Sequence, residues 1–117
     1  HTSADNLDFI NYKTLAESIN MHFKIMMAAE LNFVPLGQVQ KGSPMLSRSP
    51  INLYPNVMNF VAHPKSESTR VILSILNMSD GKSNLLEIAE RYNFPLIQHA
   101  DIIEKLCESK YISEIKT

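Results

Sequence analysis

The sequence predicts a mainly α-helical fold with a small β wing, and three observations carry that expectation. Apolar residues recur at helical spacing in four separate stretches, a capped turn joins two of them, and the last residues read as a short strand. The turn, Asn77-Met-Ser-Asp-Gly-Lys-Ser-Asn-Leu-Leu-Glu-Ile-Ala-Glu-Arg91, is the most informative stretch. Asp80-Gly81 is a turn signal, because glycine reaches positive φ without steric cost and aspartate bonds back to its own backbone. Asn84 stands where an N-cap belongs, and Glu87 three residues later can close a capping box. Leu85, Leu86, Ile88 and Ala89 give the new helix its inner face, while Glu87, Glu90 and Arg91 face water.

The other elements follow in chain order. Asn11 can cap a helix from Tyr12 to Leu31, in which Leu15, Ile19, Phe23 and Met26 recur at helical spacing and Ile25, Met27 and Ala29 widen the stripe. A face this broad needs a partner, and no matching helix follows directly; the partner is expected in the C-terminal region or in a domain upstream. From Asn32 to Pro64, prolines and glycines punctuate short apolar pieces, which predicts an extended connector lying ordered against a surface. Ser66 or Ser68 can cap a helix through Leu76, with Val71, Ile72, Ile75 and Leu76 inside. Asn93-Phe94-Pro95 then interrupts the helix begun at Asn84. A last helix from about Pro95 to Ser109 is predicted to bury Leu96, Ile97, Ala100, Ile103, Leu106 and Cys107, and Tyr111–Ile115 reads as a strand. Three helices and a terminal strand make a small winged helix-turn-helix over residues 65–117, preceded by a connector over 35–64.

Charge argues against the obvious use of such a module. From Lys65 onward the bases are Lys65, Arg70, Lys82, Arg91, Lys105, Lys110 and Lys116, against Glu67, Asp80, Glu87, Glu90, Asp101, Glu104, Glu108 and Glu114. Seven against eight leaves the module near −1, and the last helix exposes three acids and one lysine. DNA binders cluster Lys and Arg against phosphates, so DNA binding is not expected. The net charge of the whole chain is also −1, which gives no field for anionic lipid. No apolar run is long enough to span a bilayer and no leader is evident, so a cytoplasmic protein is expected. The single cysteine, Cys107, cannot form an internal disulfide and reads as a small buried hydrophobe. His22, His63 and His99 share no metal-ligand spacing and read as boundary or surface residues. A strand edge beside the last helix could take an extended peptide, which makes a stand-alone peptide-binding winged helix the alternative reading.

Three pieces taken together carry a resemblance. His1-Thr-Ser-Ala-Asp-Asn-Leu-Asp-Phe-Ile10, Asn52-Leu-Tyr-Pro55 and Leu76-Asn-Met-Ser-Asp-Gly-Lys-Ser-Asn-Leu-Leu-Glu-Ile-Ala-Glu-Arg91 resemble, in order, a bacterial aminopeptidase-like family associated with polysaccharide biosynthesis. In that family a zinc-aminopeptidase-type α/β domain precedes a C-terminal winged helix. The resemblance implies that residues 1–34 are the end of the catalytic domain and that the chain, which starts without methionine, is the C-terminal part of a larger hydrolase-like protein. It further implies that His1, in a His-Thr-x-x-Asp segment, is a zinc ligand. The other ligands and the general base would lie outside this chain, so the chain alone carries no catalytic residue. The implied partners are the upstream catalytic domain, a peptide substrate and further copies in a homo-oligomer.

Overall fold

The computed structural model describes residues 10–39 and 67–115. Helix α1 (Tyr12–Leu31) leads through a three-residue corner into strand β1 (Pro35–Gly37). Helices α2 (Glu67–Met78) and α3 (Leu85–Tyr92) follow, then a single 3-10 turn (Leu96–His99), helix α4 (Ala100–Glu108) and strand β2 (Ile112–Glu114). This is the expected mainly helical fold with a small sheet.

Helix boundaries follow from local chemistry. Asn11 caps α1, its side chain accepting from the Lys13 and Thr14 amides. The box at α3 is complete: Glu87 N donates to Asn84 Oδ1, and Asn84 N donates to Glu87 Oε2, each at 2.9 Å. At the other end Asn93 takes a left-handed φ of 51°, with its own N–H bonded to Glu90 O and that of Phe94 to Ala89 O. Lys110, φ 57°, ends α4 by the same pair of bonds, from Lys110 N to Cys107 O and from Tyr111 N to Leu106 O. Neither end uses glycine.

The core joins Val71, Ile72 and Ile75 of α2, Leu85, Ile88 and Ala89 of α3, Ile102, Ile103 and Leu106 of α4, and Phe94, Leu96 and Ile112. Leu31 and Phe33, from the corner between α1 and β1, pack against its rim.

Four expectations change. The strand Pro35–Gly37 falls where the sequence suggested only connector, and it pairs antiparallel with β2 in the register Leu36 opposite Ser113. Its sparse apolar pattern, broken by a proline, hides a strand whose value lies in its backbone. The last helix begins as a 3-10 turn rather than an α-helix, and three residues per turn stack Leu96 over His99. The inner face therefore moves, so that His99 and Ile102 are buried while Ile97, Ala100 and Cys107 are half-buried. Leu86 is exposed, because Leu85 and Ile88 already fill the face of α3 that meets the core. Finally, the strand at the C-terminus is the shorter Ile112–Glu114. The connector piece from residue 40 to residue 64 lies outside the described residues.

Gly81 shows how tightly the sheet is closed. It has φ 78°, and a Cβ there would stand 2.8 Å from Ile115 Cδ1 and 3.3 Å from Leu36 Cδ1. The two side-chain ends can shift, so the cost of Gly81→Ala comes from the left-handed backbone and is expected at about 1 kcal/mol in denaturant unfolding.

Candidate functional site

Two surfaces are built by residues with a capacity to bind: the slot that holds β1, and the outward stripe of α1. The slot lies between the turn after α2 and strand β2. On one side Gly37 N donates to Ser79 O at 2.7 Å and Gly81 N to Pro35 O at 3.1 Å. On the other, Gln38 N donates to Tyr111 O at 2.9 Å and Ile115 N to Val34 O at 3.2 Å. Pro35 is fully buried and joins through its carbonyl, and at the first position of a strand its missing N–H costs no ladder bond. The corner also completes the start of α3. Leu85 N donates to Phe33 O and Leu86 N to Asn32 Oδ1, both at 3.0 Å, so the first amides of that helix are occupied by protein.

On α1 no residue is buried. Tyr12, Leu15, Ile19, Phe23 and Met26 lie along one side and are all exposed, Ile19 by 63% and Met26 by 66%. Among the described residues the helix meets the 3-10 turn, and Leu31 at its C-terminal end packs against the core.

Two of the cations of the helix-turn-helix have partners within the protein. Arg70 is committed to the end of α3, where its guanidinium donates to Tyr92 O at 2.9 Å and to Asn93 O at 3.3 Å, a placement that also suits the helix dipole. Lys105 lies 3.9 Å from Asp101 one turn earlier on α4, an exposed pair of little energetic weight. Asp101, Glu104 and Glu108 complete the outward face.

The histidines fall in different places. His1 and His63 lie outside the described residues. His22 is exposed on α1, its Nδ1 donating to Ser18 O at 2.7 Å. His99 is buried, contrary to the boundary or surface position that its spacing suggested. Its ring stands edge-on to Phe94 at 5.8 Å, and Nδ1–H donates to Pro95 O at 2.9 Å. Among the described residues no three His, Cys, Asp or Glu side chains gather where they could hold a metal ion. They do not fit a zinc site. Cys107 lines a groove of about 390 Å³ with Phe33, Lys110, Ile112 and Glu114. Burial, and then the nearby Glu114 carboxylate, push its thiol pKa up, away from nucleophilic use. Sequence reasoning missed the contributions of Asn32, Phe33, Gln38 and Arg70. Their partners lie far off in sequence, and no local signal marks them.

Residues 34–114 match a family model described as winged helix-turn-helix. The chain belongs to that family. The match starts at Val34, so the winged helix as a family includes β1, in keeping with the bonds that hold this strand. The chain is also 36% identical over 89 residues, 76% of its length, to a Clostridium acetobutylicum protein described as a polysaccharide biosynthesis protein with aminopeptidase-like domain. That alignment spans 20% of the relative. No solved structure matches the chain. Among the described residues no helix of this winged-helix protein is long and apolar enough to cross a membrane.

The acidic α4 face and the committed Arg70 lead to a direct expectation. In a mobility-shift titration at low salt the chain should give no sequence-dependent shift of duplex DNA. A shift that is stronger for one duplex sequence than for scrambled duplexes of the same length would contradict this.

Proposed function

We propose that the chain is the C-terminal portion of an aminopeptidase-like protein, and that its winged helix is an accessory module seated on the catalytic body through α1. The observation that carries this reading is the bare stripe of α1. Large side chains such as Phe23, 58% exposed, and Ile19 line a helix that its own winged helix leaves uncovered. A contiguous apolar surface of this kind is what one half of a stable interface looks like when its partner is absent. The stripe carries no basic border, since Lys13 and Lys24 are balanced by Glu17 and Glu30, and this disfavours an anionic membrane surface as the partner. The likeness to the aminopeptidase-like relative, of which the chain spans only a fifth, supports a protein body as the partner.

Zinc belongs to this proposal as a property of the parent protein. His1 would supply one ligand, and the others, with the general base, would come from outside these 117 residues. Peptide hydrolysis is accordingly assigned to the parent and not to this chain.

In the full-length protein, the pair Ile19→Asp and Phe23→Asp is expected to loosen the winged helix, read as faster proteolytic release of the C-terminal piece. In the isolated chain the same pair should leave the spectrum of the winged helix unchanged. An isolated chain that sediments as a stable dimer, which the aspartates dissolve, would assign the stripe to a second copy instead. For the metal, His1→Ala is expected to lower the zinc content of the full-length protein; equal metal content in variant and parent would remove that ligand.

A further inference from the structure

We infer that α1 carries a second docking face, turned away from the stripe assigned above to the parent body, and that this face takes the α1 of a second copy of the chain in antiparallel alignment. This goes beyond the accessory role and does not depend on it, because the two faces share no residue.

The apolar residues of α1 do not stop at the stripe. Met21 is 54% exposed and Ile25 59%. Met21 stands two residues from Ile19 and two from Phe23, which at about 100° per residue places it on the opposite side of the helix. A helix that is apolar on opposite sides needs cover on both. Thr14, Ser18, Met21 and Ile25 follow one another at intervals of four, three and four residues, the repeat of a helix-to-helix seam. In antiparallel alignment Thr14 faces Ile25 of the second copy and Ser18 faces its Met21, and symmetry repeats both layers. A small side chain thus meets a large one in each layer, so the helices approach closely without a void. Parallel alignment would set Met21 on Met21 and Ser18 on Ser18.

Charge selects the same direction. Glu17 and Lys24 flank this seam on one side, seven residues apart. Like flanks meet in an antiparallel pair, so Glu17 lies beside Lys24 of the second copy and Lys24 beside its Glu17; both pairs are lost in parallel alignment. Among the described residues neither side chain is held in an ion pair within the chain. The seam from Thr14 to Ile25 is roughly 17 Å long at about 1.5 Å per residue. Such a contact orients two copies and does not lock them, so trapping is the suitable readout.

The test uses the whole chain in a Cys107→Ala background, one batch carrying Thr14→Cys and another Ile25→Cys. Both positions are exposed, and the amide spectrum of the winged helix checks folding. Mixed under mild oxidation, the two variants should join to each other about ten-fold faster than either joins to itself. Glu17→Lys added to both should slow the joining about five-fold, and Lys24→Glu added as well should restore it. Ile19→Asp with Phe23→Asp, which attacks the stripe, should leave the joining unchanged, so failure of the stripe's docking and failure of this contact are told apart. If each variant joins to itself as fast as to the other, the contact is parallel or random and the proposal is overturned. Joining no faster than that of a Phe23→Cys chain to itself would also overturn it and leave the Met21 face to another protein. Where Cys107→Ala impairs folding, the native Cys107 is kept and peptide mapping locates the disulfide.

Discussion

The seating of Asn32–Gln38 between the turn at Asp80 and strand β2 is the constraint on which the rest of the structure depends. A two-stranded sheet of three-residue strands is not stable by itself. It persists here because the same short segment satisfies the turn after α2, the first amides of α3 and both ends of β2. The apolar contribution is concentrated in two side chains, Pro35 in the slot and Phe33 on the rim of the core. The rest is backbone, which explains why the segment looks unremarkable as a string of residue types.

That seating also decides what the module cannot do with its helix ends. A free helix N-terminus attracts anions through unpaired amides and the positive end of the dipole. In α3 the amides of Leu85, Leu86 and Glu87 are all bonded to protein oxygens, and Glu87 adds a negative charge in the first turn. At the opposite end Arg70 is spent on carbonyls. The N-terminal amides of α3 and the Arg70 guanidinium are thus taken up within the protein.

The local chemistry of the fold was legible in the sequence, because caps and turns are written in neighbouring residues. The box of Asn84 and Glu87, the cap at Asn11, the turn at Gly81 and the whole extent of α1 follow from side chains within a few positions of each other. Long-range partnerships were not legible. Nothing near Leu36 announces that Ser113 will lie opposite it, and nothing near Asn32 announces the start of a helix more than fifty residues later. The burial of His99 was hidden for a different reason. A helical wheel assumes 3.6 residues per turn, and the 3-10 geometry after Pro95 breaks that assumption where His99 would otherwise face out. On the α1 stripe the sequence was informative about the need and silent about the partner, since apolar spacing records that a face must be covered and not by what.

The corner between α1 and β1 joins the helix of that stripe to the sheet. Only Asn32, Phe33 and Val34 separate helix from strand, and each of them is bonded: Asn32 N to Ala29 O, Phe33 O to the Leu85 amide and Val34 O to the Ile115 amide. The carbonyls of Phe33 and Val34 and the side chain of Asn32 tie the corner to the start of α3 and to the end of β2. Helix α1 therefore joins the winged helix through a short, tied corner and through Leu31 on the rim of the core. Along its length Ile19, Phe23 and Met26 stay exposed, so the corner and Leu31 are where this helix meets the winged helix.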